Sequence, residues 1–186
     1  MKAVLDACVI FPTVLREILI GVAATGLYQP LWSERILREW VLALRKFGPE
    51  AQAEGEAQAV LLKADFPRAM VREQPAIERR LLLPDLNDTH VLAVAIAGHA
   101  DLIVTFNARD FPRHVLAEEG IARRDPDSLL WELWSHHPGK VGEVVREVHA
   151  TAERLAGQDL ALKALLKRAQ LPKLARAMAV QAGRHF

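Results

Sequence analysis

Hydrophobic positions along this chain fall into short unbroken runs separated by longer stretches with a helical repeat. Residues 2–10 (KAVLDACVI) form such a run, and near-continuous hydrophobicity of that length predicts a strand buried on both faces of a parallel sheet. Pro12 stands where a first helical turn would begin and Gly26 where it would stop, so TVLREILIGVAAT reads as a mostly buried helix. Ser33 is the expected N-cap of a second helix, SERILREWVLALRKFG, which closes at Gly48-Pro49. Its apolar stripe is Ile36, Leu37, Trp40, Val41 and Leu44. The Ala- and Glu-rich residues 50–63 predict a further, more exposed helix, and residues 69–73 (AMVRE) a short strand.

The stretch 83–112, LPDLNDTHVLAVAIAGHADLIVTFNARDFP, is the most informative. Pro84, Asp85, Asn87 and Asp88 are helix-start residues, residues 91–97 are apolar on every side, and Gly98 ends that helix. LIVT at 102–105 predicts a second buried strand, followed by a polar turn over 107–110. Residues 120–122 suggest one more short strand before Asp125-Pro126 opens a helix ending near His136. Strand–helix alternation of this kind predicts a parallel sheet covered by helices on both faces, joined by right-handed crossovers. His137-Pro138-Gly139 is the clearest break in the chain, and beyond it only helical patterns follow, punctuated by Gly157 and Pro172. The expected organisation is therefore an α/β domain over residues 1–137 and a helical C-terminal extension over 138–186.

Composition narrows this picture. The 186 residues suffice for one domain with a real core, and 51% hydrophobic with 25% charged residues is the balance of an ordinary soluble protein. A net charge of +1 supplies no overall basic field, so any attraction to nucleic acid must come from local clusters. Cys8 is the single cysteine, which excludes an internal disulfide and a cysteine-rich zinc site. No cleavage pattern and no apolar run of membrane-spanning length stand in the sequence, and a cytoplasmic, reducing location is expected.

Open parallel sheets place their functional groups at the carboxyl ends of strands. Asp6 lies in or at the end of the first strand, where a buried carboxylate costs several kcal/mol unless paired or bound to a cation. Asn107 and Asp110 follow the LIVT strand, and Asp85 and Asp88 begin the helix before it. Glu39 falls at the rim of the second helix's buried stripe. Taken singly, most have a structural use: Glu39 as a surface carboxylate, Asp85 and Asp88 as helix caps, Asn107 and Asp110 as turn residues. Asp6 has none. Convergence of Asp6, Asp88, Asn107 and Asp110, with no Lys or Arg near Asp6 in sequence, is the arrangement a hard divalent cation requires. Such a site activates water for attack on a phosphate.

Four blocks, VLDACVI, SERILREW, PDLNDTHVLAVAIAGHADLIVTFNARDFP and GIARRDPDSLL, resemble the successive motifs of the PIN-domain nucleases, the family that includes the VapC-type toxins. The resemblance covers roughly residues 1–133 and is most specific in the central block. It implies a three-layer α/β/α sandwich with a central parallel sheet and Mg2+- or Mn2+-dependent ribonuclease activity. By position, Asp6 matches the first-strand metal ligand, Glu39 the acid of the second helical region, and Asp88 the acid opening the VLAxA helix. Asp110 and Asn107 fall in the block after the strand, where family members often carry Asp at the place of Asn107. Thr105 resembles the family's small hydroxyl residue beside the site, and Asp85 is open between capping and a role there. The resemblance also implies an RNA substrate, an antitoxin protein as partner if the chain is a toxin, and a homodimer, the common state in the family.

Other residues take simpler readings. The seven histidines form no metal pattern; adjacent His136 and His137 read as surface residues, and His90, close to Asp88, reads as a helix-surface residue with contact to the site as its alternative. Cys8, two residues after Asp6 on the expected strand, should face the same side as a core thiol. Trp131 and Trp134 read as packing residues beneath the C-terminal helices. Lys163, Lys167, Arg168, Lys173, Arg176 and Arg184 have no acid among them and form either a solvated face or a phosphate-contacting arm. An aspartyl-nucleophile phosphatase would require a second Asp where Cys8 stands. A catalytically weak PIN scaffold that binds RNA is the remaining alternative, and Asn107 is the residue that favours it.

Overall fold

The computed structural model describes residues 1–182, with side chains described to residue 180; Arg184 lies outside the described residues. Four short strands, β1 (Lys2–Leu5), β2 (Gln29–Leu31), β3 (Leu102–Val104) and β4 (Ala122–Arg124), pair in the order β2-β1-β3-β4, all parallel. The architecture is α/β, a parallel sheet flanked by helices with a helical C-terminal part, as the alternating pattern predicted.

Two compact units make up the chain, one of Met1–Phe11 with Tyr28–Arg124, the other of Pro12–Leu27 with the residues from Asp125 onward. The first holds the whole sheet. Ala3, Val4 and Leu5 of β1 and Leu102, Ile103 and Val104 of β3 are all buried, which is why both strands read as unbroken apolar runs. Helix α6 (Thr89–Ala97) packs on both strands and buries every residue from Thr89 to Ala95. Helix α3 (Glu34–Ala43) begins at Ser33, whose hydroxyl accepts from the Ile36 N–H at 3.2 Å, and buries Ile36, Leu37, Trp40 and Val41. A 3₁₀ turn over Leu44–Phe47 leads to α4 (Pro49–Asp65).

Several boundaries differ from the sequence pattern, each for a physical reason. The first strand ends at Leu5, not at Ile10; the rest of the run is a single helical turn, α1 (Ala7–Ile10), whose N–H groups at Val9 and Ile10 bond the Asp6 carbonyl. Burial of Val9 and Ile10 makes that turn as apolar as the strand before it, so periodicity cannot separate them. β2 escaped the pattern because it is three residues long and carries Pro30, which a ladder tolerates at a sheet edge. The strand expected at 69–73 is one parallel bridge, Trp32 to Met70. The last strand lies two residues beyond 120–122, in a segment whose Ala122 is exposed. Short helices α5 (Pro75–Glu78) and α7 (Arg113–Glu118) complete this unit.

The second unit is helical: α2 (Thr13–Ala24), α8 (Pro126–His136), α9 (Pro138–Ala156), α10 (Leu162–Arg168) and α11 (Pro172–Ala182). Gly21 lets α2 approach α9 closely, since a Cβ there would lie 2.6 Å from Val144 Cγ1. Trp131 is 45% exposed, contrary to its expected packing role, because it faces away from the buried Leu129, Leu130 and Leu133 of α8. Asp127, 5% exposed, accepts the N–H groups of Lys173 (2.8 Å) and Leu174 (3.0 Å) at the start of α11. Asp127→Ala would strand both donors, and we expect a loss of about 1–3 kcal/mol in denaturant unfolding. An unchanged midpoint would show that water replaces the carboxylate. Among the described residues, no helix is long and apolar enough to cross a membrane.

Candidate metal centre

Strand order β2-β1-β3-β4 reverses direction between β1 and β3, since the chain leaves β1 toward one edge and β3 toward the other. Carboxyl ends at such a reversal flank a crevice that the sheet itself cannot fill. Asp6 follows β1 there, and Thr105, Asn107 and Asp110 follow β3.

The Asp6 backbone stays paired one residue past its strand, donating to the Val104 carbonyl at 3.1 Å. Its side chain is buried, and Oδ2 accepts the Thr105 hydroxyl at 2.6 Å and the Cys8 thiol at 3.0 Å. Cys8 therefore does reach Asp6, but from α1 and not from the same strand face. Burial, then the adjacent Asp6 charge, pushes the Cys8 thiol up to about 12. Thr105 Oγ1 in turn accepts the Asn107 N–H at 2.9 Å, and the Asn107 amide donates to Asp88 Oδ2 at 2.9 Å. Asn107 Oδ1 accepts the Asp110 N–H at 3.4 Å. A continuous hydrogen-bonded chain thus runs from Asp6 through Thr105 and Asn107 to Asp88.

Asp85 caps the 3₁₀ turn Leu86–Asp88, its Oδ1 accepting the Asn87 N–H at 2.9 Å. The same residue also faces the site. Carboxylate oxygens of Asp85, Asp88 and Asp110 all lie within 4.8 Å of one another. Asp88 is raised from 3.8 to about 6, first by burial and then by the charges of Asp6, Asp85 and Asp110, with His90 acting in the opposite direction. Among the described residues no Lys or Arg forms an ion pair with these three aspartates.

Like Asp6, Glu39 stands outside that trio. Its Oε1 takes Arg35 Nε at 3.2 Å and lies 3.1 Å from His90 Nε2. Burial alone would raise Glu39, but His90 and Arg35 outweigh it and hold the carboxyl below its ordinary value. Arg35 also binds Glu78 Oε1 at 3.1 Å and the Asn87 carbonyl at 3.3 Å, tying α3 to the turn that carries Asp88. His90 is 2% exposed, not a surface residue, because a helix apolar on every side is enclosed on every side. Its Nδ1 is buried without a hydrogen-bond partner. The Arg35–Glu39 spacing of four residues was visible in sequence as a helical ion pair; nothing in the sequence pointed to Glu78.

A divalent cation fits this donor set. Three carboxylates with mutually close oxygens and no Lys or Arg partner among the described residues repel one another unless a positive ion enters, and Asp88 records that repulsion. All the donors are hard oxygens, which suits a hard divalent cation rather than a thiophilic metal. The family model described as PIN domain matches residues 2–109, more than half of the chain. No curated protein and no solved structure is similar enough to match it.

Proposed function

Because the chain belongs to the PIN-domain family, we propose that it is a Mg2+- or Mn2+-dependent endoribonuclease. The observation that carries this reading is the uncompensated group of Asp85, Asp88 and Asp110 beside Asp6, at the carboxyl ends of β1 and β3. In it, Asp6, Asp88 and Asp110 hold the cation, Asp85 lends a further carboxylate, and Glu39 supports the site from α3. Thr105 and Asn107 orient Asp6 and Asp88 through Oδ2, leaving Oδ1 of each without a protein donor among the described residues. When bound, the cation supplies activation of water and neutralisation of charge on the phosphate.

Covalent catalysis has no support from Cys8, whose thiol stays protonated at neutral pH. Direct hydrolysis leaving a 5′-phosphate and a 3′-hydroxyl is the expected outcome. The test is labelled RNA incubated with the purified chain and Mn2+ or Mg2+, with EDTA as control. Cation-dependent cleavage is expected; products ending in 2′,3′-cyclic phosphate would overturn the mechanism.

A toxin role, with a small antitoxin partner, a homodimeric state and a cytoplasmic location, belongs to the same proposal and rests on family resemblance. Growth arrest on expression, relieved by a neighbouring small gene, would support it; a genomic neighbourhood without such a gene counts against it. The second reading, a catalytically weak scaffold that binds RNA, is favoured by one feature, the amide of Asn107 among the acids. RNA binding with no cleavage in either cation would select it.

A further inference from the structure

The acid group described above repels a polyanion, so an RNA nuclease of this kind requires a cationic surface elsewhere to hold its substrate. Of 24 Lys and Arg and 23 Asp and Glu, six cations and no acids lie beyond Asp159, leaving 18 against 23 in the rest of the chain. Lys163, Lys167, Arg168, Lys173 and Arg176 are all exposed on α10 and α11, while Leu165, Leu166, Leu171 and Leu174 are buried. The cations therefore line the sides of these helices away from their apolar contacts. Lys173 donates to Ser128 at 2.6 Å and lies close enough to Asp125 to help lower its carboxyl, whereas Lys163, Lys167, Arg168 and Arg176 form no ion pair among the described residues.

Helix α9 shows how an ordinary solvated helix of this chain looks: Lys140, Glu143, Arg146, Glu147, Glu153 and Arg154 intersperse both signs. In the first unit, paired cations (Arg35, Lys63, Arg80) and exposed cations such as Arg38, Arg45 and Arg68 alike stand in stretches that also carry acids. A single-sign surface left uncompensated carries a self-repulsion that a bound polyanion relieves. We infer that α10 and α11 form a sequence-independent binding surface for the phosphate backbone of single-stranded RNA. The choice of RNA rests on the proposed nuclease function; the surface itself rests on charge placement.

The test uses the full chain and a short labelled single-stranded RNA of mixed sequence in EDTA, read by fluorescence anisotropy across a salt series. EDTA stops cleavage, so binding is read alone. The combined variant K163E/K167E/R168E should bind at least tenfold more weakly, and its salt slope should fall by about 2, at roughly 0.7 per lost phosphate contact. K163Q/K167Q/R168Q covers any folding defect of the reversed variant and should lose binding in the same direction. R38E/R45E/R68E makes the same charge change at exposed cations of the other unit and should bind nearly as the parent does. An equal loss in that control would reduce the effect to net charge and overturn the inference. So would parent-like binding by both tail variants, or binding to phosphatidylserine vesicles with none to RNA. Binding without cleavage once Mn2+ is added overturns the nuclease reading alone; cleavage with tail-independent binding overturns this one alone.

Discussion

Asn in place of Asp88 is expected to lower cation-dependent RNA cleavage by well over 100-fold while making the cation-free protein more stable. The loss should exceed the roughly 10–100-fold typical of removing an outer partner of a metal ligand, because Asp88 is one of the three carboxylates whose oxygens cluster and is proposed to hold the cation directly. The gain in stability follows from the raised ionisation of Asp88. Its carboxyl titrates near 3.8 unfolded and near 6 folded, so the folded state holds the proton more tightly. Below the lower value both states are neutral and nothing is lost. As pH rises through about 6 the folded state must ionise against its neighbours, and the full penalty is present at pH 7. Because the carboxylate is partly open to solvent, the penalty is on the order of 1 kcal/mol rather than the full shift. Asp88→Asn removes it, so Tm in EDTA should rise by about 2–4 °C at pH 7 and not at all at pH 3.5. Saturating Mn2+ should stabilise the parent by a few kcal/mol and leave the variant nearly unmoved. A parent whose Tm ignores Mn2+ would remove the cation from the account altogether.

How much of this was legible in the chain depends on whether one physical requirement acted alone at each position. β3 must be buried on both faces and nothing else, so LIVT announced it and located Asn107 and Asp110 behind it. α6 is enclosed on every side, and its apolar run gave the helix; the same fact should have placed His90 inside. Where two requirements overlap, the pattern failed. The turn α1 is buried like a strand but wound like a helix, and β2 answers to an edge position that admits Pro30. Asp6 was legible because a carboxylate within an apolar run demands an explanation. Asp85 remained divided between cap and site; the structure shows the cap, one oxygen on the Asn87 N–H, and sets the carboxylate close to Asp88 and Asp110. The second partner of Arg35 was hidden because Glu78 lies 43 residues beyond it, a distance no local periodicity reports.

The amide at position 107 separates two accounts of the site and is open to direct substitution. As Asn, the residue donates to Asp88 Oδ2 at 2.9 Å and accepts the Asp110 backbone N–H, so it braces one carboxylate and the backbone of another without adding a further charge beside them. Asn107→Asp would keep the acceptor for Asp110 but replace the donor to Asp88 with a second carboxylate at hydrogen-bonding distance. Two carboxylates so placed cannot both ionise without a proton or cation between them. In EDTA at pH 7 the variant should lose about 1–3 kcal/mol, the cost of breaking a buried-side hydrogen bond and seating a like charge in its place. Lower pH should restore most of the loss, since a proton shared between residues 107 and 88 remakes the bond. Added Mn2+ should restore it too, and calorimetric titration should show a lower Kd for Mn2+ than the parent's. A scaffold that merely binds RNA gives a different pattern, with the variant destabilised in EDTA and no recovery on adding the cation. Weaker Mn2+ binding with an added acid would mean that these carboxylates meet no cation, and would leave the hydrogen-bonded chain from Asp6 to Asp88 as a purely structural brace.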